Sequence, residues 1–153
     1  MNSSGIRKAI PTEYRGIRFR SKSEAIFARA LDLAHSGKLI WEYEPNEYEV
    51  DGWKPDFYVK RQYEGSNYWD CIIELKPSEV TDTHMDNLGN RFCELMDENV
   101  GLLCYLICGN HRNSNRHVWW FNGGWDNETD DYFWSVVFSK FEEAAEYRFD
   151  LKH

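Results

Sequence analysis

The chain has 153 residues, 42% hydrophobic and 16% aromatic, enough to fill one core and too few for a second domain of any size. Its net charge of −8 excludes a protein that coats nucleic acid over its whole surface, because neutralisation of phosphates by Lys and Arg supplies most non-specific affinity. No apolar run approaches the roughly 18 residues of a membrane span, and the polar start Met1-Asn-Ser-Ser-Gly5 lacks a signal peptide's apolar stretch, so a soluble cytoplasmic protein with no membrane partner is expected.

Residues 1–13 read as a flexible arm, followed by a short extended piece in which Ile17 and Phe19 alternate with Arg18 and Arg20. Residues 1–38 carry eight Lys or Arg against Glu13, Glu24 and Asp32, a net +5 that leaves −13 for residues 39–153. Such asymmetry permits a local phosphate-binding surface, for which Arg15, Arg18, Arg20 and Lys22 are the candidates, with Tyr14 and Phe19 among them. From Ser23 the apolar spacing predicts a helix, capped by Ser21 or Ser23 and ended by Gly37, with Glu24 in its first turn.

Residues 39–50 read as one long strand or a strand pair. Asp51-Gly52 is a tight-turn dipeptide joining it to a hairpin partner over 53–59. Tyr68–Leu75 is predicted as a third, increasingly buried strand at the sheet's centre, stopped by Pro77. Met85, Leu88, Phe92, Leu95 and Met96 mark a helix over 82–99, and the apolar run 100–108 fits a strand buried on both faces. A helix between two buried strands predicts a parallel crossover, hence a mixed β-sheet flanked by helices, of the α/β class. Residues 111–153 read as a C-terminal extension packed on the core: an aromatic hairpin of strands 117–121 and 132–138, then a short helix over 140–147.

Four charged residues interrupt these apolar elements. Glu74 and Lys76 sit two apart at the end of a buried strand, so alternation sends both out of one face. If strand 53–59 pairs with strand 68–75, Asp56 lies beside Glu74, and two close carboxylates repel unless a cation sits between them. Oxygen donors of this kind suit Mg²⁺ or Mn²⁺, with the carbonyl of Leu75 as a further ligand. Lys76 can stabilise charge developing on a phosphoryl group, a contribution of about 3–4 kcal/mol for a preorganised donor. Glu24 is placed to reach the same cleft and to bind a second metal, directly or through water.

The ordered set Arg20-Ser-x-Ser-Glu24, Tyr43-Glu-Pro45, Lys54-Pro-Asp56-Phe57 and Ile73-Glu74-Leu-Lys76-Pro77 resembles the PD-(D/E)XK nuclease superfamily over roughly residues 14–110. Within it, the chain is similar to small phage junction-resolving endonucleases and to the endonuclease subunits of cut-and-paste transposition systems. The resemblance implies a restriction-endonuclease-like fold and Mg²⁺-dependent hydrolysis of DNA. It also implies Asp56 and Glu74 as metal ligands, Lys76 as the catalytic lysine and Glu24 as the additional acid. The Gln and Tyr pattern of the exonuclease branch is missing after Lys76, which points to endonucleolytic cutting. The acidic body points to a homodimer or a partner protein supplying further DNA contacts. The rival readings are a catalytically inactive module of this fold that binds DNA or a partner protein, and a ribonuclease.

Three smaller patterns remain. Cys104, Cys108, His111 and His117 have spacing comparable to a zinc site, yet the cysteines sit in an apolar strand; together with Cys71 and Cys93 they read as reduced core thiols. Arg112 and Arg116 are possible helpers in phosphate binding. Trp119, Trp120, Trp125 and Trp134 read first as core, with a base-stacking wedge or a subunit contact as the alternatives.

Overall fold

Six strands form the central sheet, in the order β3-β4-β5-β6-β7-β8: Ile40–Tyr43 (β3), Phe57–Gln62 (β4), Tyr68–Lys76 (β5), Leu103–Cys108 (β6), His117–Phe121 (β7) and Trp125–Asn127 (β8). The computed structural model describes residues 9–62, 68–109, 116–128 and 131–151. Only the β5–β6 pair is parallel, and the helix Asp82–Glu98 (α2) makes the crossover between them. The sheet is therefore mixed and flanked by helices, as the alternation of buried strands and helical spacing predicts.

Alternation along the strands separates two apolar layers. Phe57, Val59, Cys71, Ile73, Tyr105 and Ile107 face one way, toward helix Lys22–Leu33 (α1) and helices Tyr132–Phe138 (α3) and Phe141–Ala145 (α4). Ile72, Cys104, Leu106 and Phe121 face the other way, toward Leu88, Phe92 and Leu95 of α2. Gly89 lets α2 approach closely: a Cβ there would lie 2.9 Å from Cε1 of Phe121. Among the described residues no helix is long and apolar enough to cross a membrane.

A second, three-stranded sheet ties the chain's two ends together. Thr12–Tyr14 (β1) pairs antiparallel with Ile17–Phe19 (β2) and with Asp150–Leu151 (β9). Thr12 is fully buried, so Thr12 and Glu13 belong to the folded body and not to the expected arm. Phe19 is also fully buried, and the hydroxyl of Tyr14 donates to Asp32; neither aromatic is free to contact phosphate.

Two further expectations are corrected. The 39–50 segment is a strand only over Ile40–Tyr43, because Glu44 turns into the left-handed region at φ 47° and Pro45 follows it. Asp51-Gly52 does form the tight turn, with both residues at positive φ and two backbone hydrogen bonds between Val50 and Trp53 at 2.7 and 2.8 Å. The second correction concerns 132–138, which is the helix α3 and not a hairpin strand. Asp131 caps it by accepting from the backbone N–H groups of Phe133 and Trp134, and Phe133, Trp134 and Val137 then share one buried face. The C-terminal hairpin is instead β7–β8, turning at Gly123 and Gly124.

Candidate active site

Glu24, Asp56 and Glu74 are the only buried acidic side chains among the described residues, at 8%, 3% and 6% exposure. Burial of a carboxylate is costly without a compensating charge or hydrogen bonds. All three converge on one end of β5.

The β4–β5 register pairs Phe57 with Ile73, and one step further it sets Asp56 opposite Glu74. The Oδ2 atom of Asp56 accepts the backbone N–H of Leu75 at 2.7 Å, fixing the carboxylate against β5. Glu74 and Lys76 leave the same face, with Lys76 Nζ 3.5 Å from Glu74 Oε2. The other oxygen, Oε1 of Glu74, is buried without a hydrogen-bond partner. Glu24 arrives from the first turn of α1, where Ser21 accepts its backbone N–H at 3.2 Å.

Arg20 joins these parts. One terminal guanidinium nitrogen bonds both Asp56 and Glu24, the latter at 3.2 Å, while Nε lies 3.1 Å from Glu44. The Tyr43 hydroxyl accepts from the backbone N–H and Nε of Arg20 and donates to Oε1 of Glu24 at 3.0 Å. Burial and the neighbouring Glu74 push Asp56 well above the usual carboxylate range. Burial likewise raises Glu74, against the pull of Lys76, and raises Glu24, with Asp56 adding to the effect and Arg20 opposing it. Even with Arg20 and Lys76 present, the site is short of positive charge.

A cleft of about 520 Å³ opens over these groups and is lined by Arg20, Glu44, Asp56, Glu74 and Lys76 on one side. Trp53, Lys54, His84, Asn87 and Arg91 line it from the 50–54 turn and α2. A second cleft of equal volume, around His35, Lys60 and Tyr68, has no carboxylate in its lining. Chemistry, not size, distinguishes the first.

The remaining candidates are dispersed. Arg15 pairs with Asp32 at 2.8 Å and lies over Trp41, while Arg18 and Lys22 are exposed on β2 and at the start of α1. Arg116 stacks on Phe138 and Phe141. Cys71, Cys104 and Cys108 are buried free thiols, and burial raises the pKa of each; Cys93 is exposed, contrary to expectation. His117 Nδ1 lies 3.0 Å from Glu79, and His111 and Arg112 fall outside the described residues. Trp134 is fully buried, and Trp119, Trp120 and Trp125 are half-buried against the two layers.

Sequence reasoning quoted Tyr43 and Glu44 only as part of the resemblance and gave them no role in the site, missed the α2 wall, and gave Arg20 no role but phosphate binding. The i, i+4 spacing of Arg20 and Glu24 and the i, i+3, i+7 spacing of His84, Asn87 and Arg91 are the signals that were present. In comparisons with protein-family models, curated proteins and solved structures, none matches the chain.

Proposed function

We propose that the chain is a metal-dependent endonuclease with a restriction-endonuclease-like fold, hydrolysing phosphodiester bonds of DNA in the cytoplasm, branched or otherwise structured DNA among its substrates. The observation that carries this reading is the convergence of buried Asp56 and Glu74 with Lys76 on one open cleft, with buried Glu24 joined to them through Arg20. Carboxylates buried together at the end of a central strand carry a desolvation cost of the kind that functional sites accept.

The donor set fits a hard divalent cation. Among the described residues no three acidic, His or Cys side chains form a ready metal-binding group, and Arg20 bridges Glu24 and Asp56. The unpartnered Oε1 of Glu74 and the carboxylates raised by crowding are nonetheless what a site built for added positive charge would present. Asp56, Glu74 and the Leu75 carbonyl would hold Mg²⁺ or Mn²⁺, with Glu24 as a further acid. When bound, such an ion supplies Lewis-acid polarisation of a phosphoryl oxygen and eases ionisation of water.

The chain's own groups do the rest. The Leu75 N–H keeps Asp56 aimed into the cleft, and Glu74 holds the Lys76 ammonium where negative charge grows on the phosphoryl oxygens during attack. Tyr43 fixes Arg20 and Glu24 relative to one another. The test is Mg²⁺-dependent nicking of supercoiled plasmid and cleavage of a four-way junction, expected for the wild type and lost in Asp56→Ala. Wild-type activity retained in Asp56→Ala would rule this site out.

One observation favours a second reading, a catalytically inactive module that binds DNA or a partner protein: Arg20 already engages Glu24, Glu44 and Asp56. That reading requires no uptake of Mn²⁺ by calorimetry and no cleavage under any metal.

A further inference from the structure

Two of the cations lining the active-site cleft are not used by the carboxylate cluster. Arg20 and Lys76 are bound to it, whereas Lys54 and Arg91 form no ion pair among the described residues. Arg91 is held in place by Trp53 and its neighbours. The Asp51-Gly52 turn fixes Trp53 through its hydrogen bonds to Val50, and Phe92 packs against its ring at 6.3 Å. Lys54 follows directly in the chain. The Arg91 guanidinium lies over the Trp53 ring at 5.1 Å, a cation–π contact that orients the planar fork. His84 and Asn87 stand on the same face of α2 as Arg91 and line the same cleft.

Cations at the edge of a cleft without acidic partners are suited to a polyanion. Four cations, Arg20, Lys54, Lys76 and Arg91, line this cleft against Glu44, Asp56 and Glu74, in a protein whose net charge is −8. Arg20 and Lys76 are taken up by the carboxylates, Glu24 included, so the positive charge left over lies on the wall of Lys54 and Arg91, which can draw a phosphate chain to that side of the cleft. Arg15 and Arg20 lack this geometry: Arg15 is paired with Asp32, and Arg20 is held within the acid cluster.

We infer that Lys54 and Arg91, the latter stacked on Trp53, form a phosphodiester-binding subsite for the DNA strand, holding a backbone phosphate beside the one that is cleaved. This rests on the nuclease reading only for the identity of the cleaved bond. The subsite itself is a binding property that can be measured without catalysis.

The experiment is fluorescence anisotropy with a short labelled DNA duplex over a series of salt concentrations. Wild-type protein is measured in EDTA, and Lys76→Ala protein in Mg²⁺ so that the duplex stays intact. Lys54→Gln and Arg91→Gln are each expected to weaken binding about three- to ten-fold and to reduce the slope of log K against log salt by about 0.9 for each phosphate no longer neutralised. Arg91→Lys should recover most of the slope, and Lys38→Gln, an equal change of charge elsewhere on the surface, should leave it unchanged. Thermal melts of every variant separate misfolding from weakened phosphate binding.

An unchanged slope in the Lys54→Gln/Arg91→Gln double variant overturns the inference, as does absence of DNA binding both by wild type in EDTA and by Lys76→Ala in Mg²⁺, or tighter binding of duplex RNA than of DNA. Binding lost in these variants by a wild-type protein that never cleaves would leave the subsite standing and retire the nuclease. Cleavage by a wild type whose double variant keeps the full salt slope would do the reverse.

Discussion

Arg20 and Asp56, 36 positions apart, form a guanidinium–carboxylate pair whose nitrogen also reaches Glu24. Asp56 is nearly fully buried, while the Arg20 side chain is 62% exposed, so the counter-charge enters from solvent. Arg20→Gln removes it from Asp56, Glu24 and Glu44 together. Breaking a buried pair costs about 3–5 kcal/mol, and the exposure of Arg20 discounts this to about 1–2 kcal/mol. A lower melting temperature in EDTA is the expected outcome. Added Mn²⁺ should raise the melting temperature of Arg20→Gln more than that of the wild type, and equal shifts would show that Arg20 and the ion do not serve the same carboxylates.

Stability without metal should fall as pH rises. Asp56, Glu74 and Glu24 all have folded-state pKa values above the ordinary carboxylate range, through burial first and mutual repulsion second. Between the ordinary value and the raised one the native state binds more protons than the unfolded state, so the derivative of unfolding free energy with pH is negative. The stabilising contribution is complete in acid below the ordinary value and is lost as pH climbs through the raised values. Urea denaturation in EDTA across mildly acid to mildly alkaline pH should show this, with a slope up to about 1.4 kcal/mol per pH unit for each proton involved. Asp56→Asn should flatten the slope and gain stability at the alkaline end.

Asp56, Glu74 and Lys76 were legible in the sequence because strand alternation and a hairpin register are local rules, and a charge at a buried position breaks them visibly. Glu24 was legible as a first-turn acid on α1, and its place in the site came with the resemblance. Arg20 was not, since its partners depend on how β2, α1, the bend at Glu44 and the start of β4 close on one another. The 132–138 run misled for a different reason. Its aromatic and β-branched residues favour a strand, but the Asp131 cap and the packing of Trp134 between Phe27 and Tyr105 override that preference. Neither partner ring is near in sequence.

Asp131 supports that helix twice. Besides capping α3 it pairs with Arg61 at 3.0 Å, and Arg61 also donates to the Tyr105 hydroxyl at 3.1 Å. Both charges are largely buried, so Asp131→Ala leaves a buried guanidinium without its carboxylate and a helix without its cap. A loss of about 2–4 kcal/mol is expected in urea denaturation. Asp131→Asn keeps an oxygen for the cap and should lose less. Equal losses would assign the whole effect to the Arg61 pair.

Lys76 allows the proposed chemistry to be tested apart from the architecture. Its ammonium forms a single ion pair among the described residues, with Glu74, and is partly exposed, so Lys76→Ala leaves the core packing intact and lowers the melting temperature in EDTA only by the loss of that counter-charge. If Lys76 stabilises charge on the phosphoryl group, the nicking rate should fall about 10²- to 10³-fold, the effect of removing one preorganised transition-state donor. DNA affinity should change far less, because that donor acts mainly on charge that appears during the reaction. Lys76→Arg keeps the charge but spreads it over a larger, planar group, so it should bind DNA as the wild type does and recover little of the rate. Full recovery by Lys76→Arg would mean that bulk positive charge suffices and that the position of the ammonium beside Glu74 has no catalytic role.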